Sequence, residues 1–124
     1  MKLTNKTCLV TGGTRGIGAA TAIAFAKEGA DVAIVGRTED DDARQTLKAI
    51  RALGRRGELI LADCAKPADC TRAVEETAKR FGGLDVLVHS AGGPINGGLL
   101  ELTPEAWHGA FDVHVHAIFY LCRA

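Results

Sequence analysis

A doubly wound α/β fold, one parallel sheet with helices on both faces, is what this sequence predicts, and three observations predict it. Short apolar runs alternate with stretches of helical period, the pattern of repeated βα units. A glycine-rich turn, TGGTRGIG over 11–18, follows the first apolar run directly. At 124 residues the chain fits one domain with a modest core, so a single layered unit is expected.

Thr7 to Val10 reads as the first strand, and Gly16 to Glu28 as a helix rich in Ala and Ile, stopped by Gly29. Asp31 to Val35 is the second strand. Thr38 is expected to cap the next helix, with Glu39 and Asp40 to Asp42 setting negative charge on its positive end. Ala43, Leu47, Ile50 and Leu53 form that helix's buried stripe before Gly54. Glu58 to Ala62 is a third strand, Pro67 opens a third helix running through Arg80, and Gly82-Gly83 ends it. Leu84 to Val88 is the fourth strand. Gly92 to Gly98 is loop, and Thr103-Pro104-Glu105 starts a helical tract that continues to the end. Val113, Val115 and Ile118 make that tract a poor intrinsic helix former. Low-complexity segments and linkers are absent, and nothing repeats beyond the βα unit.

Lys plus Arg number 15 and Asp plus Glu number 15, which leaves no electrostatic footprint for nucleic acid or an anionic membrane. MKLTNK at the start lacks the apolar core of a signal peptide and no stretch reaches bilayer length, so a cytoplasmic location is expected. The four cysteines, Cys8, Cys64, Cys70 and Cys122, lack C-x-x-C spacing and read as reduced thiols packed as small apolar residues. His114 and His116, two apart on a helix, do not lie side by side, and Cys64 and Cys70 do not help, so no metal site is expected.

A glycine turn between strand and helix gathers unpaired amides at the positive end of a helix dipole, which suits a diphosphate. Gly12 supplies unusual backbone angles, Gly16 permits close approach, and Gly18 lets the helix sit on the strand, with Thr14, Arg15 and Ile17 completing the loop. The spacing G-x-x-x-G-x-G differs both from the ordinary dinucleotide fingerprint and from a Walker A loop.

In this turn, in LADC around Asp63, in LDVLVHSAGG and in LTPEAWHGAFDVHVHAIFYLCRA, the sequence resembles the classical short-chain dehydrogenase/reductase family. The four matches are collinear over nearly the whole chain. The resemblance implies a Rossmann-like sheet of strand order 3-2-1-4 as a single truncated domain over 1–124. It implies a nicotinamide dinucleotide across the strand carboxyl ends. Asp63, followed by Cys64, would accept a hydrogen bond from the adenine amino group, or else cap the turn into the next helix. Ala91 and Gly92 would pass close to the ribose and nicotinamide.

Where NAD selection needs an acid after the second strand, this chain has Gly36 and then Arg37. Arg15 can reach a 2′-phosphate from the other side, so NADP(H) is the expected cofactor, with NAD(H) the alternative and Glu39 and Asp40 opposing the preference.

The family's proton donor, a Tyr with a Lys four positions later, has no counterpart: the only tyrosine, Tyr120, is followed four positions on by Ala124. His89 and Ser90 stand where the family has paired asparagines. His114 stands where it has the asparagine that anchors a relay water, and is the one catalytic candidate, as a relay member, or else an ordinary surface or buried histidine. The expected function is the NADP(H)-binding part of such an oxidoreductase, inactive alone; the alternative is a non-catalytic nucleotide-binding or interaction module. Edge exposure of the fourth strand, and of Phe111, Val115, Ile118 and Phe119, points to a homo-oligomer or a completing chain.

Overall fold

Every residue of β1, Thr7–Thr11, is buried, a condition that only a strand covered on both faces meets. The computed structural model describes residues 1–124. β2, Asp31–Gly36, lies on one side of β1 and β4, Val86–His89, on the other; β3, Gly57–Leu61, pairs with β2. All pairs are parallel and the order is β3-β2-β1-β4, the order expected. Leu9 sits opposite both Ala33 and Leu87.

Side chains alternate across the sheet and feed two cores. Cys8, Val10, Val32 and Ile34 point to the layer of α1, Gly16–Lys27, and α2, Asp41–Ala52, meeting Ala22, Ala26, Leu47 and Ile50. Leu9, Ala33, Val35 and Ile60 point the other way, to Ala73 and Val74 of α3, Pro67–Phe81, and to Ala117 and Leu121. The buried face of α1 is Gly18, Ala22 and Ala26, whose small side chains let the helix axis come close to the sheet.

Beyond one-residue shifts at the ends of other elements, three boundaries differ from expectation. α2 is capped by Asp40, whose carboxylate accepts the Ala43 N–H at 2.9 Å; Thr38 lies outside, with its hydroxyl 3.5 Å from Asp40. The helix starts two residues later than the Thr38 reading requires, and Asp caps as well as Thr. Thr46 takes a place in the buried stripe, whereas Leu53 follows the last helical residue and is exposed. β4 begins at Val86: Leu84 packs against the core from outside the strand and the Asp85 N–H donates to Thr7 O at 2.9 Å.

The final helical tract is continuous in direction but not in type. α4, Pro104–Phe111, is capped by the Thr103 hydroxyl; residues Asp112–His116 form a π turn; α5 is Ala117–Arg123. The π turn falls on Val113 and Val115, where β-branched side chains crowd a regular α-helix. Trp107, Phe111, Val115, Ile118 and Phe119 are all substantially exposed along this tract. None of the helices is long and apolar enough to cross a membrane. Cys8, Cys64 and Cys70 are buried, while Cys122 is exposed and departs from the packed role expected of it.

Two carboxylates lock the sheet to its surroundings. Asp85 accepts the Thr7 N–H at 2.8 Å with Lys6 beside it, and Asp69 accepts the Asp63 N–H at 2.8 Å with Arg72 beside it. Those amide hydrogen bonds hold both carboxyls below their usual range. A depressed carboxylate contributes stability above its unfolded value of about 4, and that contribution is lost as pH falls through the folded value. Asp85→Asn is therefore expected to be less stable than the native chain at neutral pH, with the gap closing in acid. Urea midpoints measured down to about pH 2.5 check this; a gap that stays constant refutes the linkage.

Candidate functional site

The chain leaves β1 for β2 on one side and later crosses from β3 to β4 on the other, so the carboxyl ends of β1 and β4 diverge into a crevice. A cleft of about 620 Å³ occupies that position. Its walls are the β1–α1 loop, the ends of β2 and β3 at Val35–Arg37 and Ala62–Ala65, the segment Ser90–Gly93 after β4, and Gly109 and Val113 from the helical tract.

The β1–α1 loop is shaped by glycine. Gly12 has φ +62°, and a Cβ there would lie 2.7 Å from both Ala91 N and Ser90 O. No L side chain combines that angle with that contact at low cost. Gly18 is needed for a different reason: a Cβ on it would stand 2.1 Å from Gly12 O, so the first turn of α1 rests directly on the loop backbone. Thr14 is buried, its carbonyl accepting the Thr46 hydroxyl at 2.9 Å, and its methyl fills the space where a Gly36 side chain would be. Gly16 faces open space and Ile17 is exposed.

No side chain caps α1. Its first outer hydrogen bond runs from Ala19 N–H to Arg15 O, which leaves the amides of Gly16, Ile17 and Gly18 without intrahelical partners at the dipole's positive end. Arg15 and Arg37 both line the cleft. Arg15 stands 3.8 Å from Asp42, so the acid nearest to it is Asp42, whereas Asp40 is spent as the α2 cap and Asp41 pairs with Arg44.

Asp63 accepts the Ala65 N–H on Oδ1 at 3.0 Å, the turn-capping role, while Oδ2 has no protein partner. Cys64 lines the cleft beside it; burial pushes its thiol up to about 12, and Cys70 donates through Sγ to Cys64 O at 3.3 Å. A thiol of that kind is a packing group, not a nucleophile.

His114 is not among the residues that line the cleft. Its Nε2 lies 3.1 Å from Gly93 O and its ring lies against Gly92, so it touches two residues that do line it. His116 pairs with Asp112 at 3.0 Å, away from His114. The structure also brings in residues that sequence reasoning missed: Ser90, Gly93, Gly109 and Val113 line the cleft, and His89 joins Thr11 of β1 to Val113 of the π turn at 2.7 Å each. Ser90 and Gly93 flank residues already singled out. Gly109 and Val113 carried no signal: Gly109 has no side chain to mark a face, and Val113 lies inside the π turn, where the α-helical phase no longer holds.

A family model described as short chain dehydrogenase matches residues 6–124. The chain is 42% identical over 123 residues to General stress protein 39 of Bacillus subtilis (strain 168), a match that spans 98% of this chain and 43% of that protein. Among solved structures, a short chain dehydrogenase from Burkholderia cenocepacia J2315 in complex with NADP superposes with a TM-score of 0.96 at 42% identity, over 99% of this chain and 50% of that one. A blue fluorescent protein from a metagenomic library in complex with NADPH gives a TM-score of 0.94 at 36% identity, over 100% of this chain and 51% of that one. The chain thus spans about half or less of the length of these relatives. A match of this extent and depth, on a sheet of this order, establishes that the chain belongs to the short chain dehydrogenase family.

Proposed function

We propose that the cleft binds NADP(H) and that the chain is the cofactor-binding part of an NADP(H)-dependent oxidoreductase. The observation that carries this reading is the uncapped first turn of α1, its amides opening beside left-handed Gly12 and Gly16 onto the crevice between β1 and β4. The donor set fits a nicotinamide dinucleotide. Gly12, Thr14, Arg15, Gly16, Ile17 and Gly18 would surround the diphosphate. Arg37 and Arg15 would hold the 2′-phosphate, Asp63 Oδ2 would accept from the adenine amino group next to Cys64, and Ala91 and Gly92 would give room to the ribose and nicotinamide. NAD(H) would occupy the same cleft without the phosphate contact.

The bound nucleotide supplies hydride exchange with a carbonyl or alcohol. These 124 residues bind and orient it, but they contain no Tyr-x-x-x-Lys pair to move the proton. Calorimetric titration of the chain with NADPH is expected to show saturable binding, while NADPH mixed with the chain and a panel of aldehydes and ketones keeps its nicotinamide absorbance. Absence of saturable binding would overturn the reading, and steady consumption of NADPH by the chain alone would overturn its second half.

The exposed strip from Trp107 to Phe119 favours a second reading, a nucleotide-binding module that associates with another copy or with a completing chain. Sedimentation equilibrium of the chain tests it; a tight monomer across the concentration range counts against it.

A further inference from the structure

We propose that His89 and His114 are positioning residues that clasp the segment after β4 to the π turn, each by donating from Nε2 to a backbone carbonyl, and so fix the wall facing the nicotinamide half of the cofactor. The proposal rests on the NADP(H) reading above.

The direction of each bond follows from the partners. A backbone carbonyl only accepts, so the His89 Nε2 at 2.7 Å from Val113 O donates. On the other side of that ring, Thr11 Oγ1 receives the Ala91 N–H at 3.2 Å and the Ser90 N–H at 3.1 Å, the latter shared with Thr11 O. With its acceptor positions filled, the Thr11 hydroxyl has only its proton to offer, and His89 Nδ1 lies 2.7 Å away to receive it. Both ring nitrogens are thereby committed. His114 Nε2 likewise faces a backbone carbonyl, Gly93 O at 3.1 Å, and donates to it.

The two bonds run in opposite directions between the same two segments. His89, at the end of β4, gives its proton to the π turn; His114, inside the π turn, gives its proton back to the loop after β4. The π turn makes the first bond available. In an α-helix Val113 O would receive the Ala117 N–H, but here that amide bonds Asp112 O. The second bond is fitted by shape as well: Gly92, with φ +128°, leaves the His114 ring a place that a Cβ would occupy at 2.3 Å. Ala91, Gly92, Gly93 and Val113 all line the cleft, so the clasp sets the distance between its two nicotinamide-side walls.

The test uses the whole chain and two ligands, NADPH and adenosine 2′,5′-bisphosphate, which carries only the adenosine half. Long-range ¹⁵N–¹H correlation spectra of the ligand-free native chain are expected to show both histidines protonated at Nε2; a His89 or His114 without a proton on Nε2 overturns the proposal. His89→Leu is expected to weaken NADPH about tenfold, the effect of one lost part-buried hydrogen bond, and His114→Leu, whose bond is exposed, about threefold. The bisphosphate should change by no more than about twofold. His89→Gln and His114→Gln, which keep a donor, should recover part of the loss. Parallel loss of both ligands would mean a merely structural role and would overturn the positioning claim. A native chain that binds neither ligand overturns the nucleotide reading and the positioning role with it. The spectra separate the two failures, because they report the clasp without any ligand.

Discussion

Gly18→Ala is expected to abolish NADPH binding and to lower the thermal midpoint of the chain by several degrees. One methyl suffices because of what it meets. The added Cβ would be 2.1 Å from Gly12 O, 2.7 Å from Gly12 C and 3.1 Å from Gly13 Cα, all of them backbone atoms that no rotamer change can move aside. Either α1 lifts from the sheet, opening the tight contacts of Ala22 and Ala26, or the loop is driven toward the cleft. Overpacking of this kind costs about 1–3 kcal/mol. For a chain of this size each kcal/mol moves the midpoint by roughly 2–8 °C. The binding loss is larger than the stability loss, because the displaced atoms belong to the loop whose amides would face the diphosphate. Gly83→Ala is the control: nothing lies within 4 Å of its Cβ, it is remote from the cleft, and both midpoint and binding should stay near the native values. Calorimetric titration and thermal unfolding of the two variants decide the matter. A Gly18→Ala chain that binds NADPH like the native one would remove the loop from the site.

What the sequence disclosed and what it withheld divide along a physical line. Strand identity and order were legible because Cys8-Leu9-Val10 and Val32-Ala33-Ile34-Val35 are buried on both faces and so run apolar without interruption. The β1–α1 loop was legible because its glycines answer to local backbone constraints, visible as Gly12 and Gly16 at positive φ. The cap of α2 was not, since Thr38, Glu39, Asp40 and Asp41 follow one another and several of them have the chemistry of a cap. Only the starting point of the helix selects Asp40. The π turn was equally hidden: a single extra residue in one turn shifts the phase of the side chains from there on without changing composition, so Val113 at the cleft carries no periodic signature. His89 was noticed as a departure from a resembled pattern but its role was not, because its partners Thr11 and Val113 lie 78 and 24 residues away. For Asp63 the sequence left two roles open. The structure gives Oδ1 to the Ala65 amide and leaves Oδ2, so the turn-capping role does not consume the carboxylate.

Arg37→Ala is expected to weaken NADPH roughly tenfold to a hundredfold while leaving NADH within about twofold, because a hydrogen bond to a charged group contributes about 1.5–3 kcal/mol and each 1.4 kcal/mol is tenfold. Asp42 makes the same argument testable from the opposite side. Its carboxylate stands 3.8 Å from the Arg15 guanidinium, which is largely exposed, so a 2′-phosphate arriving at Arg15 competes with an anion already there. An exposed pair of this kind contributes up to about 1 kcal/mol, so Asp42→Asn should strengthen NADPH by as much as about fivefold and leave NADH unchanged. The two substitutions thus move the NADPH-to-NADH preference in opposite directions through the same phosphate, a pattern that altered folding or a shifted loop does not produce. Affinities for both nucleotides, measured at two salt concentrations, supply the check, since screening should shrink the Asp42 effect more than the Arg37 effect. If Arg37→Ala lowers both nucleotides equally, or if the native chain holds NADH as tightly as NADPH, then Arg37 and Arg15 are solvated side chains and the cleft selects its ligand without them.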